Sequence, residues 1–358
     1  MSAMRARPDP ATLSQVLIVK LSSIGDVVHA LPVATALRRR YPQARISWAV
    51  EEWTAPLVQG HRAVDRVVIF PSMRWRRAGA AWVRAFVDAV RVLRRERYDV
   101  SIDLQGLLKS ATVALLSRAP LRIGTSRPRE GAGFVSPPVP AAAGRLHVVD
   151  DYLQCAAFLD ASATPVEFDV PVHAAAAASM ARALDALSLG AAPLIVINPS
   201  ASVGSKTWPA HRWVRVAEAL SADGAVVLVG GSEQRARHAT IVREAAGSVH
   251  DFTGRTSLAE LVALLDRCAL HVAPDTGSAH IAAALGRPVV GLYGPTPPWR
   301  KAPYGCGDLV VLHPQACGIG CPRFCLRRRC LDAATPDEIV AQARRVLAHT
   351  SRAETVCS

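Results

Sequence analysis

Residues 16–40 read VLIVKLSSIGDVVHALPVATALRRR, and this stretch decides the fold. Val16 to Leu21 is a short apolar run, long enough for a buried strand and too short for a helix. Ser22-Ser23-Ile24-Gly25-Asp26 then breaks it, and a helical pattern runs on to Arg40. A strand, a small-residue turn and a helix form the opening half of a βαβ unit.

The same grammar repeats outward from it. Residues 45–50 (RISWAV), 65–70 (DRVVIF) and 98–103 (YDVSID) read as further buried strands separated by helix-like sequence. The segment 79–97 puts Trp82, Phe86, Ala89, Val90 and Leu93 on one helical face and Arg84, Asp88, Arg91 and Arg95 on the other. The pattern thins over 161–192, where Pro165, Pro171 and the alanine run 174–178 interrupt it. It restarts with 193–198 (PLIVIN), a helix from about 210, then 225–230 (AVVLVG), 269–273 (ALHVA) and 288–293 (PVVGLY). A last helix spans 336–349. The expectation is an α/β protein with two parallel sheets, over residues 14–170 and 193–334. A joining region at 171–192 and a C-terminal helix and tail at 335–358 complete it.

The chain has 358 residues, half of them hydrophobic and 20% charged, which suits two packed domains and excludes a disordered chain. The net charge is +13, split +8 over residues 1–172 and +5 over 173–358, so both halves favour an anionic partner. No segment reads as a signal peptide or a membrane-spanning helix, and the expected location is the cytoplasm. There the eight cysteines stay reduced. Four of them crowd together as Cys317, Cys321, Cys325 and Cys330. Their spacing departs from the Cys-x2-Cys pairs of zinc sites, so reduced thiols and a structural metal both stay open.

Ligands of open parallel sheets bind beyond the carboxyl ends of the strands, and four loops there carry chemistry. Asp26 follows Gly25 at a strand end, as either a general base on an acceptor hydroxyl or a helix N-cap. The loop 198–209 (NPSASVGSKTWP) offers small hydroxyls, Gly204 and Lys206 to a phosphate, or is a plain loop with a solvated lysine. It lacks the Walker A spacing. Residues 275–280 (DTGSAH) open a helix whose free N–H groups attract a pyrophosphate, and Asp275 reads alternatively as a cap. Glu233, after Gly230-Gly231-Ser232, could take a ribose diol, although Glu in a first helical turn is ordinary.

In order along the chain, VLIVKLSSIGDVVHALP, ISWAVEE, IDLQGLLKSA with RIG following, Lys206-Thr207-Trp208-Pro209, APDTGSAHIAAALG and GLYGPT resemble the lipopolysaccharide heptosyltransferases, glycosyltransferase family 9. The opening segments and DLQGLLKSA look most like type I. The resemblance implies a GT-B fold, two Rossmann-like domains facing a central cleft, the first binding acceptor and the second an ADP-sugar. It implies inverting transfer of L-glycero-D-manno-heptose from ADP-heptose to Kdo of the inner core, with no cofactor and no essential metal. The absence of any Asp-x-Asp agrees with the last point. On matching motifs, Asp26 corresponds to the family's proposed base and Lys206 to the lysine on the donor phosphate. Asp275, Thr276, Gly277 and His280 fall in the donor loop, and Glu233 matches the acid on the adenosine ribose. Two hydroxyls before the lysine in type I enzymes map to Ala201 and Ser202, and Ala201 offers only its backbone.

The implied partners are an ADP-sugar, Kdo-lipid A or a related anionic glycolipid, and the cytoplasmic face of the inner membrane, met by peripheral contact. The arginine-rich segment around Trp75 to Arg77 is expected to touch that surface. Alternatives are a different acceptor (the second core heptose, a protein or another glycan), a noncatalytic sugar-nucleotide sensor and a nucleic-acid binder. No nucleic-acid-binding module is visible in the sequence.

Overall fold

The structure, a computed structural model, describes residues 13–72, 79–201, 206–245, 249–313 and 329–356. The chain divides into two compact units between Pro171 and Val172.

The first unit runs β1 (Gln15–Val19), α1 (Ile24–Arg40), β2 (Arg45–Glu51), β3 (Arg66–Phe70), α2 (Ala80–Leu93), β4 (Val100–Asp103), α3 (Leu108–Leu116), β5 (Leu121–Gly124) and α4 (Val148–Phe158). Its sheet is wholly parallel, in the order β3-β2-β1-β4-β5. Val16, Leu17, Ile18 and Val19 are fully buried, as a strand covered on both faces requires. One face packs Leu17 and Val19 against Ala89 and Leu93 of α2 and Val113 and Ala114 of α3. Trp82 stacks on Phe86 at 5.2 Å between ring centres, and Phe86 meets Phe70 edge-on at 5.7 Å. The apolar stripe read in 79–97 is therefore the buried face of α2.

The second unit runs α5 (Ala174–Asp185), β6 (Leu194–Ile197), α6 (Ala210–Ser221), β7 (Ala225–Leu228), α7 (Arg235–Glu244), β8 (Val249–Asp251), α8 (Leu258–Asp266), β9 (Leu270–Pro274), α9 (Gly277–Ala284), β10 (Val289–Leu292), α10 (Pro298–Lys301), β11 (Val310–Val311), α11 (Arg329–Ala333) and α12 (Pro336–Val356). Its sheet, also parallel, has the order β11-β10-β9-β6-β7-β8. Both units thus turn back at a switch point beside their first strand, between β1 and β4 and between β6 and β9.

Two expectations change. The alanine run does not interrupt the pattern: it starts α5, because alanine is the strongest helix former and needs no periodicity to favour a helix. Ala176, Met180 and Leu184 bury one side of α5, and Ser179 Oγ donates to Glu260 Oε1 of α8 at 2.8 Å. The segment expected to join the domains is in this part an element of the second unit. Asp26 is not an N-cap either. Ser23 holds that position, and Asp26 lies in the first turn of α1, with Ser23 Oγ donating to Asp26 Oδ2 at 3.0 Å. No helix of the described residues is long and apolar enough to cross a membrane.

Trp213 of α6 is fully buried beside Trp208, their rings edge-on at 5.4 Å. Trp213→Ala should therefore destabilise the second unit by about 3–5 kcal/mol through lost burial and the cavity left behind. Urea unfolding followed by near-ultraviolet dichroism checks this.

Candidate active site

In the second unit the switch point collects the loops after β6 and β9. Beyond the last paired residues, Asn198 N still donates to Val272 O at 3.0 Å, and then the chains part. Lys206 comes from one side and Asp275 from the other, and Lys206 Nζ meets Asp275 Oδ2 at 2.5 Å. His280, one turn into α9, places Nε2 3.6 Å from Asp275 Oδ1. Burial works to raise the Asp275 carboxyl, but His280, by hydrogen bond and charge, and then Lys206 outweigh it and hold Asp275 well below the usual carboxylate range. Asp275 is thus ionised, buried and fixed, and it orients a half-buried lysine beside the amino end of an eight-residue helix that begins after Thr276. An ammonium and a helix start side by side are the groups from which anion sites are built, here with the ammonium already paired to Asp275.

Beneath these groups lies a chain of buried polar bonds. His271 Nδ1 is 2.9 Å from the Val196 carbonyl, which can only accept, so Nδ1 carries the proton. Nε2 then accepts from Ser278 Oγ at 3.0 Å, and that oxygen accepts from Asn198 Nδ2 at 3.0 Å. Asn198 Oδ1 takes the Ser200 N–H at 3.1 Å. Ser200 Oγ lies 2.8 Å from His238 Nε2, whose Nδ1 lies 2.8 Å from Thr253 Oγ1. Burial pushes both imidazoles down to about 4, so each is neutral at pH 7. The network ties the loops after β6 and β8 to α7 and to the start of α9 without adding charge beside Lys206 and Asp275.

Lys206 is steadied from behind. Trp208 Nε1 donates to Leu331 O at 3.0 Å, and Arg212 reaches the carbonyls of Asp332 (2.9 Å) and Ala334 (2.8 Å). Glu233 sits exposed in a short turn after β7. That turn packs on Gly254, which has a φ of +65° and whose place a side chain could not fill, since a Cβ there would stand 2.7 Å from Ser232 Cα. Ser202, Cys317, Cys321, Cys325 and the stretch Trp75 to Arg77 lie outside the described residues, while Cys330 is buried in the apolar core under Gly294.

In the first unit the switch point holds the half-buried Asp26 and a set of charged groups that the sequence motifs do not single out. Lys20 is buried, its Nζ donating to Leu104 O at 2.8 Å and Tyr152 Oη at 2.7 Å. Lys109 Nζ donates to Ser22 Oγ at 2.7 Å and to buried Glu51 Oε1 at 2.8 Å, and Trp53 Nε1 donates to Glu51 Oε2 at 2.7 Å. Gln105 Oε1 accepts from the backbone N–H groups of Leu21 (2.9 Å) and Ser22 (3.3 Å). The turn that carries Asp26 is therefore clamped from β2, from α3 and from the loop after β4. The signal was present in ISWAVEE and DLQGLLKSA: Glu51 and Lys109 belong to buried elements, where a lone charge is costly and so implies a partner.

Because the folded-state value of His271 lies below that of a free imidazole, only the unfolded chain binds this proton between about pH 6.5 and 4. Acidification through that window should remove on the order of 3 kcal/mol of the second unit's stability through His271. The His271 ring resonances should not titrate between pH 7.5 and 5.5, and nuclear magnetic resonance checks this; an apparent value above 6 contradicts the assignment.

Residues 87–323 match the family described as glycosyltransferase family 9 (heptosyltransferase). The chain is 31% identical over 311 residues to lipopolysaccharide heptosyltransferase 1 of Salmonella typhimurium, covering 84% of this chain and 95% of that one. It is 32% identical over 336 residues to the Pseudomonas aeruginosa protein of the same name, covering 90% and 89%. The structure of E. coli heptosyltransferase WaaC with ADP superposes with a TM-score of 0.74 at 26% identity, over 93% of this chain and 99% of that one. The two parallel sheets are the GT-B architecture of these enzymes, and the chain belongs to glycosyltransferase family 9, the heptosyltransferases.

Proposed function

We propose that this enzyme transfers L-glycero-D-manno-heptose from ADP-heptose, with inversion, to Kdo of the lipopolysaccharide inner core, at the cytoplasmic face of the inner membrane. The observation that carries it is the Lys206–Asp275–His280 cluster at the switch point of the second sheet, an anion site beside the start of α9. Names of the relatives supply the sugar and the acceptor class.

In this reading Asp26 accepts the proton of the acceptor hydroxyl as its oxygen forms the new bond to the anomeric carbon. The bond from that carbon to the diphosphate oxygen breaks, and ADP leaves with the electron pair. Lys206 and the N–H groups at Gly277 and Ser278 meet the charge that develops on the diphosphate. Asp275 keeps Lys206 aimed and, with Thr276 and His280, borders the sugar. Glu233 takes the ribose diol, and Ser202 with the Ala201 backbone completes the phosphate side. Lysine and helix dipole do the work that a divalent ion does in other transferases, so no metal is assigned to the reaction.

Asp26→Asn should leave folding and ADP binding intact and lower turnover by about 100-fold or more, the scale of a lost general base. A steady-state assay with ADP-heptose and Kdo-lipid A decides it: near-normal turnover would leave Asp26 as a first-turn residue that steadies Ser23 and nothing more.

Lys206→Ala should raise the KM for ADP-heptose at least tenfold, about 1.4 kcal/mol of donor binding, while the acceptor KM changes little. Titration of each substrate against the variant separates the two, and a change confined to the acceptor side overturns the assignment. Wild-type activity should persist in excess EDTA.

A further inference from the structure

The outer surface of α2, α3 and the short turn Ala132–Phe134 has no role in the reaction as assigned, and its composition is unusual. α2 and α3 cover the same face of the first sheet, and the N–H of Leu108, at the start of α3, donates to Glu130 Oε2 beside that turn at 3.2 Å. Five large apolar side chains stand exposed here: Phe134 at 96%, Leu108 at 59%, Val83 at 53%, Leu115 at 51% and Val87 at 39%. Val83 and Val87 are one helical turn apart on α2, and Leu108 and Leu115 two turns apart on α3, so each pair forms a stripe. Between residues 79 and 134 eight arginines are exposed, Arg84, Arg91, Arg118 and Arg127 among them, against two exposed carboxylates, Asp88 and Glu130.

We infer that this face seats the first unit on an anionic lipid surface, with Phe134 and the two stripes entering the headgroup boundary and the arginines meeting lipid phosphates. Apolar side chains in a basic field are the chemistry of an interfacial contact. A nucleic-acid partner would not reward exposed valine and leucine, and a second copy of the chain would bring the same positive charge against itself. The choice of a lipid surface rests on the proposed lipid-linked acceptor; the existence of a docking face does not.

The test is cosedimentation of the full chain with vesicles of phosphatidylcholine alone or mixed with phosphatidylglycerol, without sugar substrates. Wild type should bind the anionic vesicles and release them as salt rises. Replacing Val83, Val87, Leu115 and Phe134 together by Ser should lower the partition coefficient about tenfold or more, with the thermal midpoint retained because all four are exposed. Arg84→Ser with Arg91→Ser and Arg118→Ser should lower it too and weaken its salt dependence. Activity of the apolar variant should fall on vesicle-embedded acceptor and hold on a short soluble one. Undiminished vesicle binding by both variants overturns the inference. Self-association of wild type that the apolar variant loses, with vesicle binding unchanged, overturns it in favour of a second copy. If no acceptor turns over with ADP-heptose while vesicles still bind, the proposed reaction fails and the docking face stands.

Discussion

An all-parallel sheet that reverses its strand order has one place on its carboxyl edge where neighbouring loops must run apart. Every polar atom exposed by that divergence needs a partner, and the rest of each unit is arranged around meeting this need. In the first unit Gln105 and Lys109 close over the end of β1. In the second, Asn198, Ser278 and His271 tie the ends of β6 and β9 together. The same satisfied bonds that let the strands end there fix the charged side chains gathered at each switch point.

Charge is handled differently at the two places. Around Asp275 the permanent charges are concentrated in one carboxylate between a lysine and a histidine, on a bed of neutral groups. A low dielectric beneath the pair strengthens its field and keeps its geometry stiff. Around Asp26 the charges are spread: Lys20 donates to a carbonyl and a phenol, and Lys109 pairs with a buried glutamate. Removing Glu51 alone would leave the half-buried Lys109 ammonium, among the described residues, with the Ser22 hydroxyl and no carboxylate, and such losses are costly.

Much of the layout was legible in the sequence because buried parallel strands are nearly continuous Val, Ile and Leu, and VLIVKL, PLIVIN and AVVLVG are that. β8 and β11 were not legible, since three residues (VHD) and two (VV) carry no periodicity. α5 was hidden because AAAAA has no polar face, although its composition favours a helix strongly. At the site, Asp26, Lys206 and Asp275 could be found from loops that follow strands. Lys20 and the relay through His238 could not, because their importance lies in partners such as Tyr152 and Ser200, 132 and 38 residues away along the chain.

The tether between Trp208 and Leu331 has a consequence for how the protein is made. A ribosome delivers β6 and the lysine loop long before α11, so for most of the time the second unit is being synthesised the Trp208 indole has no Leu331 carbonyl to hold and Arg212 lacks those of Asp332 and Ala334. Residues 331 to 346 also complete the buried core on one face of the sheet, so loop and core are finished together. The final arrangement of the lysine loop thus arrives late in translation, and a nascent chain stalled before α11 would lack the carbonyls that hold Trp208 and Arg212.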